Sequence, residues 1–228
     1  CEQVSTPAEG KGIVRREVVR VLTPGTVSNP LLVEDKESCY LAGLTAGGPD
    51  GEGGWGVAWV DLSTGEYCAS EIVGERSDAL MADELERLRP REVLLPPGCE
   101  LPRATSERLK AFGARLEQRR LEEAWNSPAV QLAEQFGDDE RVASEAKDHP
   151  LAASAAASLL AYLREIQPGG LPHLRPVSFR RMSDTMLLDA ATQRNLELVR
   201  SAVDGGRKGT LLDLMDETLT AMGGRLLR

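Results

Sequence analysis

Residues 55–73, which read WGVAWVDLSTGEYCASEIV, constrain the fold more than any other stretch. They predict a β-hairpin, with a turn at residues 63–65 between two strands. Successive side chains of a strand point to opposite faces. The first strand therefore presents two sets of apolar side chains: Trp55, Val57 and Trp59 on one face, and Ala58, Val60 and Leu62 on the other. Apolar groups on both faces are typical of a central strand that is covered on both sides.

The residues after the hairpin add helices and a further strand. A helix is predicted over residues 77–88, with Ser77 as its cap and Arg89-Pro90 as its stop. The stretch EVLLP at 92–96 then predicts a buried strand. A hairpin, a helix and a strand in succession indicate an α/β layer. A short helix is predicted over residues 128–136.

The composition changes at Pro150, where alanine and leucine become frequent. A helix is predicted from Pro150 to the Pro168-Gly169-Gly170 stop. Four later elements are predicted: a strand at 177–181 and helices at 189–202, at 210–215 and from about 219 onward. We therefore expect an α/β part that ends near residue 148 and a mainly helical part that begins at 149. The charged stretch 140–150 between them predicts a hinge.

The tetrapeptide TPGT at residues 23–26 predicts a turn and a domain boundary. Pro24 presets φ, and Gly25 accepts the positive φ that a type II turn requires. Pro24 and Gly25 are therefore predicted to be structural residues.

Composition and charge limit the possible functions. The 228-residue chain has a formal net charge of −9, and extensive direct contact with a phosphate backbone is not expected from such an acidic chain. The one dense basic cluster in its second half is Arg175, Arg180 and Arg181, which we interpret as a solvated face. The four cysteines form no C-x-x-C pair, and no apolar run is long enough for a membrane span, so a cytoplasmic location is expected. Its start at Cys1 and its end in MGGRLLR suggest an excised fragment.

Asp61 is the sharpest candidate for catalysis. It stands late on the predicted central strand, as a metal ligand would in a two-metal nuclease. Glu66, Glu71 and Glu92 are the nearest carboxylates in the predicted sheet, but nothing in their spacing requires them to converge on Asp61. The alternative is a strand-end aspartate that bonds the amides of the turn at 63–65, and we favour it. Asp61 is therefore not assigned as a metal ligand.

Other signals of chemistry are weak. His149 and His173 are the only histidines, and they have no cysteine or paired carboxylates beside them. The sequence contains no phosphate-binding G-x-x-x-x-G-K-[ST] motif and no G-x-S-x-G nucleophile motif. No catalytic residue, cofactor-binding residue or metal ligand is therefore predicted.

Asn195 lies in the stretch LLDAATQRNLELVRSA, which predicts the helix at 189–202. Asp189 is the predicted helix-start carboxylate. Asn195 falls within the apolar stripe of this helix, and a buried amide must find hydrogen-bond partners. We predict that Asn195 faces inward as a structural residue that holds the surrounding helices together.

Several of these stretches, taken in order, resemble the bacterial mismatch-repair MutS family. REVVRVLTPGT resembles the end of its mismatch-binding domain, and GVAWVDLSTGEY with ELERLRPREVLLP resembles its connector domain. LDAATQRNLEL, followed by T-x-M-G-x-R-L-L-R, resembles the start of its core or lever domain. The resemblance implies three parts: 1–26 as the remnant of the mismatch-binding domain, 27–148 as the connector and 149–228 as the start of the helical lever.

The resemblance also implies a fold and a function. Its connector is ribonuclease-H-like, a mixed sheet with helices, without nuclease activity. Family members bind mismatched duplex DNA as dimers, hydrolyse ATP with Mg²⁺ and recruit MutL, partly through the connector. The Phe-x-Glu and Walker motifs of the family are absent from this sequence, so little DNA affinity, no ATP hydrolysis and no cofactor are expected of the chain alone. Two other hypotheses stay open: a metal-dependent nuclease that uses Asp61, and an interaction module unrelated to repair.

Overall fold

The computed structural model describes the chain in nine stretches: residues 2–3, 16–18, 21–26, 36–47, 53–119, 127–137, 139–181, 188 and 190–227. Within these stretches, no helix has both the length and the apolar character that crossing a membrane requires.

Six strands form one mixed sheet. Their bounds are Tyr40–Ala46 (β3), Trp55–Asp61 (β4), Glu66–Ile72 (β5), Glu92–Leu95 (β6), Arg115–Gln118 (β7) and Ser178–Arg180 (β8). The order across the sheet is β7-β6-β3-β4-β5-β8. The β3–β4 and β4–β5 pairs are antiparallel, whereas β6, β7 and β8 each join a neighbour in parallel. This meander of three strands, extended by two parallel strands beside its first, confirms the predicted ribonuclease-H-like α/β fold. A separate two-stranded ladder pairs Glu2–Gln3 (β1) with Arg16–Glu17 (β2).

Helices cover both faces of the large sheet. Ser77–Leu88 (α1) and Arg103–Ala111 (α2) lie on one face, and Pro128–Phe136 (α3), Glu140–Asp148 (α4) and Pro150–Ile166 (α5) lie on the other. Three short helices follow: Ala190–Asn195 (α6), Leu211–Met215 (α7) and Ala221–Leu227 (α8). The α1 helix begins at Ser77 itself, with Arg76 before it, so the prediction that Ser77 caps it is wrong.

The hairpin β4–β5 occupies the centre of the sheet, as its sequence predicts. All seven residues of β4 are buried. Trp55, Val57 and Trp59 join the core beneath α1 and α2, whereas Ala58 and Val60 join the core beneath α5. The alternation of apolar residues therefore identified both faces of this strand correctly.

The α5 helix packs closely on the sheet, because glycines of the sheet face its backbone and alanines line its buried side. A side chain at Gly56 of β4 would place its Cβ 2.0 Å from the carbonyl oxygen of Leu151. Opposite Gly56, Glu71 of β5 accepts hydrogen bonds from the backbone amides of Leu151 at 2.7 Å and Ala152 at 3.4 Å. A carboxylate at a helix N-terminus satisfies amides that have no partner within the helix. Glu71 thus fixes the start of α5 over the hairpin.

This packing changes the predicted domain division. The α5 helix shares one hydrophobic core with strands β3, β4 and β5, and its Leu159, Leu160 and Leu163 are fully buried there. The division predicted at 148/149 therefore does not mark the end of the α/β core, since the alanine-rich composition that suggested it reflects close packing on the sheet. The predicted hinge at 140–150 coincides with helix α4 and the first residue of α5, and Val142 and Ala146 of α4 are buried in this same core.

Candidate functional site

The buried carboxylate of Glu92 joins three distant parts of the chain. Glu92 begins β6 and is fully buried. Its Oε2 accepts a hydrogen bond from the backbone amide of Gly25 at 3.1 Å, and its Oε1 accepts one from the hydroxyl of Tyr162 in α5 at 2.9 Å. Burial, and then the bond to Glu92, raise the pKa of Tyr162, so this hydroxyl stays a donor. One carboxylate therefore fastens the turn at 23–26 and the α5 helix to the sheet.

The turn at residues 23–26 is present, but Gly25 serves it in an unpredicted way. The amide of Thr26 donates to the carbonyl of Thr23 at 3.0 Å, which closes the turn. Gly25 does not have the positive φ that a type II turn requires, so the predicted type II geometry is wrong. A Cβ at Gly25 would lie 2.9 Å from the Cβ of Glu92. Glycine is required here by the close approach to the sheet, and the carbonyl of Pro24 accepts a bond from the Cys39 thiol.

Two neighbouring residues before β3, Lys36 and Glu37, form a second tie, which we call the linker pair. Glu37 accepts a hydrogen bond from Arg200 at 2.8 Å and one from Arg91, just before β6, at 3.3 Å. Lys36 reaches Asp216 at 3.0 Å and the carbonyl of Thr218 at 2.9 Å. The linker pair therefore connects the sheet with a segment more than 160 residues later in the chain.

Asp216 is the carboxylate that binds Lys36 of the linker pair. Its side chain is only 1% exposed and also contacts the guanidinium of Arg207. Hydrogen bonds from Thr218, with those from Arg207 and Lys36, hold the pKa of Asp216 well below its usual range. The carboxylate therefore stays charged and keeps its partners at every physiological pH.

Asp61 has the structural role that we favoured for it. One oxygen, Oδ1, accepts from the amide of Ser63 at 2.8 Å and from its hydroxyl at 2.6 Å. The other, Oδ2, accepts from the amide of Cys39 at 3.3 Å. The backbone carbonyl of Asp61 receives the amides of Thr64 and Gly65. Asp61 thus holds the hairpin turn and the start of β3.

The remaining candidate carboxylates are engaged separately. Glu66 accepts from the Tyr40 hydroxyl at 3.2 Å and from Arg180 at 2.9 Å, while Glu71 caps α5 and Glu92 holds Gly25. Burial and the Glu66 carboxylate raise the pKa of Tyr40 to about 12. In the described stretches, no three acidic, histidine or cysteine side chains come together as a metal site would need.

The role of Asp61 leads to a testable expectation. Asparagine at this site turns an amide donor toward the Cys39 amide, so Asp61→Asn is expected to lower the free energy of unfolding by about 1–3 kcal/mol. Chemical denaturation measures the loss. In parallel, the chain is incubated with nucleic acid and Mg²⁺ or Mn²⁺, and no cleavage is expected. Metal-dependent cleavage that disappears in Asp61→Asn would favour the nuclease hypothesis instead.

The two histidines and the basic cluster Arg175, Arg180 and Arg181 form no metal site among the described residues. His149 precedes α5 and stacks against Phe179, with ring centroids 6.4 Å apart, and His173 is exposed. Arg175 and Arg181 are exposed, and Arg180 pairs with Glu66. Cys39 and Cys68 are buried, and Cys99 is partly exposed.

The prediction for Asn195 is wrong. The α6 helix ends at Asn195, whose side chain is exposed. Glu197 then takes a left-handed φ of 46°, and its carboxylate accepts the amide of Ala202 at 2.6 Å, so the chain turns where a helix to residue 202 was expected. Because the helix stops, the apolar spacing never forms one continuous face. Asp189 lies outside the described residues.

The sequence analysis did not predict the linker pair, and it did not predict that Glu92 binds Gly25 and Tyr162. Glu92 is the one polar residue in the buried strand EVLL, and this is a usable signal. A buried carboxylate needs hydrogen-bond donors, so its position indicates that other parts of the chain bind it. No comparable signal marks Lys36 or Glu37, whose partners Arg200, Asp216 and Thr218 lie 163 to 182 residues away.

The strand order and the helices on both faces place the chain among mixed α/β proteins with a ribonuclease-H-like core. Three family models match it in order: MutS domain I over residues 1–30, MutS domain II over 39–175 and MutS domain III over 191–228. The chain belongs to the MutS family.

Curated relatives agree along the whole chain. Proteins named DNA mismatch repair protein MutS from Symbiobacterium thermophilum and Pelotomaculum thermopropionicum are each 42% identical, and one from Methanothrix thermoacetophila is 41% identical. All three alignments cover 100% of this chain but only 24–26% of the relative. The chain therefore spans about a quarter of the length of these relatives.

Proposed function

We propose that this chain is the connecting part of a longer DNA mismatch repair protein. In that protein, it transmits conformational changes between a mismatch-binding part and an ATP-hydrolysing part. It also provides a surface to which MutL binds. Its own residues perform no catalysis. Mismatched DNA, ATP with Mg²⁺ and the second subunit of a dimer are bound by the remainder of the longer protein.

The observation that carries the proposal is the linker pair. Lys36 and Glu37 fall between the matches to MutS domains I and II, yet they bond Arg200, Asp216 and Thr218 within the match to domain III. The turn at 23–26, inside the match to domain I, is bonded to Glu92 inside domain II. Bonds among all three segments provide the contacts through which a shift of one changes the free energy of another.

The bonds also argue for domain limits that differ from the first prediction. We propose that the connector extends from about residue 21, where the Val21 amide donates to the Ile166 carbonyl at 2.8 Å, to about residue 180, where β8, the edge strand of the sheet, ends. Movement between domains would then occur after residue 180.

Binding to MutL is tested with the chain itself. Immobilised chain is titrated with purified MutL by biolayer interferometry, and saturable binding is expected. The same chain carrying Gly56→Ala, which is expected to disturb the α/β core, serves as a folding-dependent control and should bind less. Absence of binding by the folded chain would contradict the proposal that this part of the protein recruits MutL.

A further inference from the structure

Positively charged side chains predominate in a cleft between the α/β unit and the segment formed by α6 and the residues after it. Among the described residues that line it are five arginines and two glutamates: Arg87, Arg89, Arg91, Arg194 and Arg200, with Glu37 and Glu86. This excess of positive charge occurs on a chain whose net charge is −9. We call this site the arginine cleft.

Nearby negative charges do not cancel the excess. Glu37 is shared between Arg91 and Arg200, and Glu84, beside the cleft, pairs with Arg87. The C-terminal end of α1 adds roughly half a negative charge. Counting these contributions together still leaves the lining of the cleft positive.

Arg89 is the guanidinium with the least compensation. Among the described residues no carboxylate forms an ion pair with it, and it lies over the Phe112 ring at 5.8 Å. Burial and the neighbouring Arg200 lower the pKa of Arg89. In addition, the Nε of Arg200 is buried and has no hydrogen-bond partner among the described residues. Both guanidinium groups therefore have N–H donors that these residues leave unpaired.

The size and walls of the cleft indicate the kind of anion. The cavity measures about 360 Å³, within the range of small-molecule sites. Apolar and aromatic side chains share its wall with the arginines, among them Leu88, Phe112 and Leu198. Guanidinium groups match the geometry of phosphate oxygens, and the apolar wall suits a flat organic group.

We propose that the arginine cleft binds a small phosphorylated ligand of nucleotide size, with its phosphate held between Arg89 and Arg200. The site shares Glu37, Arg91 and Arg200 with the contacts from which the connecting role was argued, but ligand binding is measured on the chain itself and does not depend on that role. Ligand bound here would bridge the α/β unit and the domain III segment, and so would favour the arrangement in which they are in contact.

The test is isothermal titration calorimetry of the 228-residue chain with pyrophosphate, ADP and adenosine at low ionic strength. Pyrophosphate and ADP are expected to bind with a stoichiometry of one, and adenosine is expected not to bind. Tighter binding of ADP than of pyrophosphate supports a nucleotide, and equal binding supports recognition of the phosphates alone. Binding of adenosine as tight as that of ADP would overturn the proposal.

Two variants and one control make the test specific. Arg89→Gln and Arg200→Gln are each expected to weaken ADP binding by at least about tenfold, because each removes charge-assisted bonds to phosphate. Arg141→Gln removes the same charge from an exposed residue of α4 on the opposite face of the sheet and should leave the affinity unchanged. Circular dichroism verifies that all three variants fold. Equal losses of ADP binding in all three variants, or no saturable binding of ADP to the parent chain, would overturn the proposal.

Discussion

Replacing Gly56 with alanine is expected to destabilise the chain by about 3 kcal/mol or more. The new Cβ would lie 2.0 Å from the Leu151 carbonyl oxygen and 2.3 Å from its carbon. Both are backbone atoms at the start of α5, so no side-chain rotation relieves the overlap. The helix must move away from the sheet, which also breaks the bonds from Glu71 to its first amides.

Gly169→Ala is the matched control for Gly56→Ala. Gly169 follows α5, its added Cβ would meet no atom of a described residue within 4 Å, and its φ is not in the positive region. Its stability is expected to stay within about 0.5 kcal/mol of the parent chain. Urea denaturation followed by Trp fluorescence measures both variants. A Gly56→Ala protein as stable as Gly169→Ala would show that α5 does not pack against β4 as described.

The second large effect is expected at Glu92. Glu92→Ala leaves the Gly25 amide and the Tyr162 hydroxyl without their acceptor, and each unsatisfied buried donor costs about 1–3 kcal/mol. A loss of roughly 2–4 kcal/mol is therefore expected. Glu107→Ala, at an exposed glutamate of α2, should change stability by less than about 0.5 kcal/mol.

A double-mutant cycle with Tyr162→Phe separates the hydrogen bond from other effects of Glu92→Ala. Tyr162→Phe should cost less in the Glu92→Ala background than alone, because its partner is already gone. Faster hydrogen exchange at the Gly25 amide should accompany Glu92→Ala. Additive losses together with unchanged exchange would mean that Glu92 does not hold the turn at 23–26.

Secondary structure was predicted most accurately where buried apolar residues recur at the spacing of a strand or a helix. The alternation in β4 identified both covered faces, and the helix predicted from Pro150 to the Pro168-Gly169-Gly170 stop matches α5, which ends at Ile166. Helix α3 likewise has the predicted bounds of 128–136. In each case one element buries its apolar groups against neighbours that complete the same core, so periodicity alone carries the information.

Prediction failed where the deciding contacts are distant in sequence. Gly25 appeared to need positive φ, but a carboxylate 67 residues away requires the glycine. Asn195 appeared to lie on a buried helical stripe, but the helix ends there and the side chain is exposed. The linker pair has no local pattern, since Arg200, Asp216 and Thr218 come from the other end of the chain and Arg91 lies 54 residues away. Local spacing cannot report such contacts.

The connecting role is tested most directly at Glu37, in the longer protein of which we propose this chain is a part. Its side chain is 22% exposed, and pairs of this kind contribute little to stability, about 0–1 kcal/mol. Glu37→Gln should therefore leave the protein folded while it weakens the ties to Arg91 and Arg200. Glu107→Gln removes the same charge from an exposed pair on α2 and serves as the control.

The measurement is the rate of ATP hydrolysis with and without mismatched duplex DNA. We predict that Glu37→Gln keeps the rate without DNA but reduces the change caused by the mismatch by roughly twofold to tenfold, whereas Glu107→Gln behaves as the parent protein does. A response to the mismatch that is identical in the parent protein and in both variants would contradict the claim that this chain transmits signals through the linker pair.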